Sequence, residues 1–550
     1  MNLICNLSAA THRVFMPFTL YQMSWRLVLV HLLIALPWLN PLSMGPSPSV
    51  ISLLFSWACT AALIGFYGVE FGQCSFGKFL TYAITAWLVA ALLSAVLGLL
   101  QYLGATTAFG IWASNANVGE AFANLRQRNQ FATLINMGLA TLLWWLAQVE
   151  NISPLPNNTA NSIRTSRAPS FLLMFAAALL LGIGNAASSS RTGLLQLLLL
   201  IGMAGGWSWR GRADDGPGND RQRRVWFVLL VAALAYAVAA MALPSLAGGD
   251  RLSTGILARL HNGDSQCSSR LTLWSNVLHL ITQKPWLGWG WGELDYAHFI
   301  TLYPGPRFCG ILDNAHNLPL HLAVELGLPF ALVFCAVCLW WVLRAKPWRE
   351  TNATRQMGWT VLTLIGLHSL LEYPLWYGPF QMAVGLSFYM LWRTPAEGGI
   401  ALQSTGGLRA KTEADISVHR ELKPLDQRFI ALAATFFIAI LAYVAWDYHR
   451  ISQIYLPPAS RAVAYREDTL AKIQGSWVFK NQVRFAKLTT TPLSQDNALH
   501  TYELARDLLH FSPEPSVVEK LIESAALLGR DDEAQFYRLR FNAAFPQAQP

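Results

Sequence analysis

His316 sits in the run Asp313-Asn314-Ala315-His316-Asn317, and Arg270 lies upstream of it in the same polar segment, Ala247 to Asn317, between two membrane-length apolar stretches. An imidazole is a base that works near neutral pH. A guanidinium is a planar fork that grips phosphate by paired hydrogen bonds and stays charged at any relevant pH. At the edge of an apolar protein, the two could bring a base and a phosphate clamp to a substrate that is itself anchored in lipid.

The elements that must position them follow from composition. Of the 550 residues, 53% are hydrophobic and only 13% charged, far from a soluble average. A spanning helix needs about 20 apolar residues. Such stretches recur at roughly 27–40, 50–69, 79–100, 131–149, 169–187, 192–209, 225–246, 318–343, 357–371, 376–392 and 429–446. The expectation is an all-α polytopic membrane protein of about 11 (9–13) transmembrane helices, because runs this long are not the alternating segments of a membrane barrel. The first stretch follows Arg26 without a small-residue cleavage site, so it reads as a retained helix. The net charge of +9 records basic loops and not a nucleic-acid footprint.

Orientation comes from the basic residues of short loops. The loops holding Arg210, Arg212, Arg221, Arg223 and Arg224, and Arg344, Lys346, Arg349 and Arg355, read as cytoplasmic; with eleven spans, so do Arg13, Arg26, Arg164, Arg167 and the stretch from Arg393 to Arg428. The N-terminus is then inside and the C-terminus outside, which in a bacterium is the periplasm. Four polar features fall on that outer face: Arg126-Gln127-Arg128-Asn129-Gln130, Ser188-Ser189-Ser190-Arg191, the 247–317 loop, and Glu372-Tyr373-Pro374-Leu375-Trp376-Tyr377. One external site could collect them. Each also has a plainer role: Arg191 snorkelling to headgroups, Gln130 as a cap or interhelical bond, Tyr373 as an interfacial anchor, His316 as a cap for the helix starting near Leu318.

The segments FANLRQRNQFATL, SSSRTG, SRLTLWSNVLHLITQKPWLGWGWG, DNAHNLPLHLAVELG and HSLLEYPLWYGPF resemble, in order, the signature blocks of the bacterial O-antigen ligase superfamily, and within it most of all the PglL-type protein O-oligosaccharyltransferases that glycosylate pilins. The resemblance runs from about Ala121 to Pro379. It implies transfer of a preassembled glycan from undecaprenyl pyrophosphate to the Ser/Thr hydroxyls of periplasmic proteins such as pilin, at the bacterial inner membrane. By that resemblance His316 matches the catalytic histidine, Arg191 and Arg270 the functional arginines, and Gln130 and Tyr373 further functional positions that orient donor or acceptor; Arg128, in the same block as Gln130, is a candidate substrate contact. The chemistry agrees. A pyrophosphate leaving group needs its charge neutralised more than it needs a proton, and a hydroxyl nucleophile needs a base. Attack opposite the pyrophosphate predicts inversion in one displacement. His368 and Glu372, and His321 and Glu325, are four residues apart and read as structural hydrogen-bonded pairs on shared helix faces.

Within the large loop, Leu271 to Ile281 reads as a helix lying in the interface, broken by Lys284-Pro285-Trp286 and the Gly288, Gly290 and Gly292 run. Cys267 and Cys309 bracket Arg270, and an oxidising compartment would allow them to pair; the sequence leaves open whether they do. The domain reading is a transmembrane glycosyltransferase domain over 1–450, with the catalytic loop at 247–317 and a cytoplasmic linker at 394–427, followed by a periplasmic helical domain over 451–550. In that tail Asn497 to Phe511, Pro515 to Leu528 and Asp532 to Ala544 have helical spacing, resembling a degenerate tetratricopeptide repeat. Rival readings are an O-antigen ligase acting on lipid A core, an O-antigen polymerase, and a lipid-glycan flippase, which the scarcity of mid-span charges disfavours.

No HExxH, clustered DxD or zinc-type Cys/His spacing occurs, and two arginines take the place a cation usually has at a pyrophosphate. The expected reaction therefore uses no cofactor or metal. A transfer assay run with excess chelator is expected to keep full activity; loss that a divalent ion restores would sink this.

Overall fold

Backbone in hydrocarbon has no water to bond with, so it satisfies itself as helix, and among the described residues every regular element is helical. The computed structural model describes residues 25–41, 49–67, 76–149, 160–210, 218–249, 255–262, 266–395 and 424–546. The expected cytoplasmic segments around Arg13 and Arg212, and most of the 394–427 linker, lie outside them.

The helices are α1 (Trp25–Leu39), α2 (Val50–Phe66), α3 (Phe76–Tyr102), α4 (Arg128–Val149), α5 (Ala160–Ala187), α6 (Arg191–Arg210), α7 (Gly218–Leu246), α8 (Gly255–Asn262), α9 (Arg270–Gln283), α10 (Leu294–Ile300), α11 (Leu318–Leu326), α12 (Leu328–Ala345), α13 (Ala353–Ser369), α14 (Gly378–Arg393), α15 (Pro424–Ser452) and, in the tail, α16 (Thr469–Ile473), α17 (Lys480–Thr490), α18 (Ala498–Leu508), α19 (Pro515–Leu527) and α20 (Asp531–Ala544). A helix stands over every apolar stretch read from the sequence. Among the described residues six segments are long and apolar enough to cross a membrane: Phe79–Tyr102, Arg128–Ala147, Arg191–Trp209, Gln222–Leu246, Leu328–Arg349 and Gln427–Tyr455. Val28–Leu39, Val50–Phe66 and Phe171–Ala187 are shorter apolar helices.

α4 is the axis of the bundle. It packs against α3, α5, α6 and α13, and 89% of its apolar window is buried, against 6% for the flanking α12 and α15 segments. A helix enclosed on all sides must bond any polar side chain it carries. Thr133 of α4 bonds the His368 Nδ1 of α13 at 3.0 Å and receives a bond from the Gln196 amide of α6 at 2.9 Å, while that amide also donates to the Leu364 carbonyl. Asn136 donates to the Gly193 carbonyl and Asn185 donates to Asn136. This buried polar seam fixes the rotation of α4, α6 and α13 about one another, and so fixes where their outer ends project.

The stretch 318–343 was expected to be one span and is two helices, α11 and α12, broken at Gly327. The break is built by a close crossing with the glycine-rich run. Gly327 (φ 89°) and Gly288 (φ 69°) both lie in the left-handed region, and a Cβ on either would come within 2.1 Å of the Trp286 carbonyl oxygen or 2.3 Å of the Glu325 carbonyl oxygen. The carbonyls of α11 orphaned by the break are met from that run: Trp289 N–H donates to Val324 O (2.9 Å) and Gly290 N–H to Glu325 O (3.0 Å), while Leu328 N–H donates to Pro285 O (2.8 Å). α9, with Ser269 as its N-cap, covers the expected 271–281 helix and packs on α11.

Cys267 and Cys309 are joined by a disulfide, closing the loop that contains α9 and α10. The far side of this loop belongs to another core: Phe299 of α10 is buried among Tyr502, Leu508, Leu521 and Phe541 of the tail. Arg540 Nε donates to the Ile300 carbonyl at 2.7 Å, and His510 pairs with Glu293 at 2.7 Å. α18, α19 and α20 fall on the three expected helical segments; α16 and α17 are additional.

Gly327→Ala is expected to cost on the order of 2 kcal/mol or more, because it adds left-handed strain to a backbone clash. Gly366→Ala, where a Cβ meets nothing within 4 Å, is expected to be neutral or slightly stabilising. Thermal unfolding midpoints of the two variants in detergent check this; equal midpoints would contradict it.

Candidate functional site

The DNAHN run is a piece of backbone engineering around His316. Asn314 Oδ1 accepts the His316 amide at 2.9 Å, and Trp274 Nε1 donates to the Ala315 carbonyl at 3.1 Å. Asn317, and not His316, caps α11, accepting from Leu320 N–H, while its amide donates to the Leu370 carbonyl at 3.0 Å. His316 itself sits at φ 50°. That conformation costs a residue with a side chain of order 1 kcal/mol or more and persists only when its surroundings over-determine it.

The imidazole thus presented meets Glu372. Its Nδ1 lies 2.8 Å from Glu372 Oε2. Glu372 Oε1 takes Arg270 Nη2 and, at 3.1 Å, the Asn129 amide. Since a carboxylate only accepts, Nδ1 carries the hydrogen, and a neutral His316 keeps its lone pair on Nε2. The Glu372 side chain is 11% exposed. Burial pushes its carboxyl up, but the hydrogen bond and charge of His316, with the charges of Arg270 and His368, outweigh that and hold it down at about 2. Glu372 is therefore an anion at any relevant pH. It does not pair with His368 as the four-residue spacing had implied, because α13 ends at Ser369 and the chain has left the helix before residue 372. His321 and Glu325 do lie together, at 3.4 Å.

The other candidates gather around this centre to different degrees. The Tyr373 ring stands edge-on to His316, centroids 5.0 Å apart. Burial, then the nearby charges of Asp313 and Glu372, push its phenol up to about 12, so it stays protonated. Tyr377 hydrogen-bonds both Tyr373 and the Gln130 side chain, which makes Gln130 an outer member of the same network. Ser190 Oγ donates to Asn129 Oδ1 at 2.6 Å and accepts Gly193 N–H at 3.0 Å, fixing the turn from which Arg191 opens α6. Arg259 of α8 donates to the carbonyl of Ser189 in that turn. Arg128 pairs with Glu120, a neighbour on its own segment. The sequence reading missed Glu372 as the hub, and Asn129 and Ser190 as its struts.

Three family profiles match the chain: "Protein glycosylation ligase" over residues 121–146, "O-Antigen ligase" over 176–335, and "Virulence factor membrane-bound polymerase, C-terminal" over 356–550. Together these matches support an O-antigen ligase superfamily, with PglL-type similarity. Residues of the Glu372 network lie in all three matched segments: Asn129 and Gln130 in the first, Arg270 and His316 in the second, Glu372 and Tyr373 in the third. It is 26% identical over 302 residues to the "ComP-specific O-oligosaccharyltransferase" of Acinetobacter baylyi (strain ATCC 33305 / BD413 / ADP1), covering 54% of this chain and 49% of that one. It is 32% identical over 120 residues to the "General O-oligosaccharyltransferase" of the same organism, 21% of this chain and 20% of that one. The chain thus spans about half the length of the first relative and a fifth of the second. Family and apolar helices together put the protein in a membrane.

Glu372→Gln tests the hub. A carboxyl whose folded pKa is lowered stabilises the fold above its unfolded pKa, near 4.5, and loses that contribution as pH falls toward about 2. The wild type is expected to exceed the variant by on the order of 3 kcal/mol at pH 6–7, with the gap narrowing below pH 4.5. Thermal unfolding across pH 3–7 reads this; a gap independent of pH would contradict it.

Proposed function

We propose that this protein is an O-linked oligosaccharyltransferase of the bacterial inner membrane, moving a preassembled glycan en bloc from undecaprenyl pyrophosphate to Ser/Thr hydroxyls of periplasmic proteins such as pilin. The observation that carries the reading is the single Glu372 carboxylate holding both His316 and Arg270. It presents a base and a phosphate-binding cation a few ångströms apart, where a lipid-borne phosphate and an incoming hydroxyl would have to meet.

In this mechanism Glu372 fixes the His316 tautomer and orientation through Nδ1, the part a third group plays beside many catalytic histidines. Nε2 takes the acceptor hydroxyl proton as the oxygen attacks the anomeric carbon. The bond from that carbon to the pyrophosphate oxygen breaks, and undecaprenyl pyrophosphate leaves as an anion. Arg270 and Arg191 bind that charge by paired hydrogen bonds. In-line displacement gives inversion and needs no metal. Gln130 and Tyr373 orient donor or acceptor, with Arg128 a further contact at the edge. We read the eleven apolar stretches as crossing the bilayer, with the site and the 451–550 domain in the periplasm; that tail, resembling a tetratricopeptide repeat, is a candidate surface for the protein acceptor.

Transfer reconstituted with purified lipid-linked donor, offering pilin and lipopolysaccharide core in parallel, tests the reading. Glycan is expected on pilin, falling at least about 100-fold in His316→Ala, the scale of a lost general base. Transfer only to the core moves the protein to the O-antigen ligases. Growth of the glycan itself makes it a polymerase.

A further inference from the structure

The glycine-rich run carries two tryptophans with different fates. Trp289 is structural: its indole N–H donates to the Leu280 carbonyl at 3.0 Å and Lys284 lies over its ring. Trp291 is held between Gly290 (φ 118°) and Gly292 (φ 78°), with the Gly292 and Leu294 amides anchored on Glu325, and it remains 64% exposed. Its ring nonetheless has aromatic neighbours. It lies nearly parallel to Trp376, at 17° and 6.3 Å between centroids, and the His321 ring stands edge-on to both. Trp376 in turn stands edge-on to Tyr373, the ring against His316.

Trp376 and His321 also line a small cavity with Asn314, Leu318, Glu372 and Tyr373. Two of its lining residues, almost fully buried, each carry a polar atom without a partner, Asn314 Nδ2 in a residue 4% exposed and His321 Nδ1 in one 2% exposed, and the cavity, about 10 Å³, has room for no more than a water. A buried unpaired polar atom costs roughly 1–3 kcal/mol and calls for a reason.

We propose that Trp291 and Trp376 form a stacking platform for a sugar ring of the substrate glycan, a subsite beyond the ring that reacts at His316. This rests on the transfer reading above. A pyranose has one face rich in C–H groups, which packs on an indole, and a rim of hydroxyls, which stays bonded to water while that face is covered; the exposed Trp291 indole backed by Trp376 suits such a ring. Tyr373 and Trp376 link His316 to Trp291 in successive ring contacts, so the platform serves rings further along the glycan.

The test compares wild type, Trp291→Ala and Trp291→Phe, full length in lipid nanodiscs, with two donors on the same undecaprenyl pyrophosphate: one bearing a single sugar, one an oligosaccharide. Trp291→Ala is expected to raise KM about tenfold for the oligosaccharide donor, the scale of a lost aromatic contact. The effect should fall away as the glycan shortens, and Trp291→Phe should recover most of it. An equal rise for both donors, or none for either, overturns the platform; the first makes Trp291 a lipid or folding contact, the second an interfacial anchor. Should the wild type transfer neither donor, the transfer reading fails by itself. Equilibrium binding of radiolabelled oligosaccharide donor then decides the platform, and unchanged affinity in Trp291→Ala overturns it.

Discussion

A nearly buried carboxylate has to be paid for with donors, and Glu372 collects them from three separate parts of the chain. Its oxygens take Asn129 from the start of α4, Arg270 from the start of α9 and the His316 ring from the turn before α11. Removing one partner of a buried charge costs about 3–5 kcal/mol, so each of these elements is held to the others through one group. The His316 ring, the Arg270 guanidinium and the first turn of α4 share a geometry because they share an anion.

That anion can only be placed if the helices beneath it do not rotate. The seam of Thr133, Gln196, His368 and Asn136 supplies this, since each bond between α4, α6 and α13 in an otherwise apolar bundle would be lost by a turn of any one helix. Outside the bundle the problem is different. The segment bearing Arg270 and His316 is cross-linked by a disulfide that closes just ahead of His316, and is pinned where Gly288 and Gly327 let two backbones touch. Together the seam and the crossing explain how a loop-borne site is held by rigid parts.

Much of this was legible in the sequence. Apolar length marked the helices, and the recurrence of polar blocks at one set of helix ends brought His316, Arg270, Tyr373 and Gln130 to one face before any coordinates. What escaped was the pairing. The four-residue spacing from His368 to Glu372 implied a shared helix face, but Pro374 stands too close for the helix to continue, and Glu372 is released to bind His316 instead. Asn129 and Ser190 carry no linear signal, because a buried amide or hydroxyl is defined by what lies across the bundle from it. The break at Gly327 did leave a trace: Gly327-Leu328-Pro329 inside an apolar run is a stop followed by a start, which apolar length alone does not register.

The tail's hold on α10 also sets an order of events during synthesis. Phe299 and the Ile300 carbonyl are completed by Tyr502, Leu521, Phe541 and Arg540, residues the ribosome makes some two hundred positions later. Until those residues have been made and folded, one wall of the loop bearing Arg270 has no backing. The protein's assembly is therefore timed by its own translation, with residues 502–541 acting as a late fastener on a loop begun long before them.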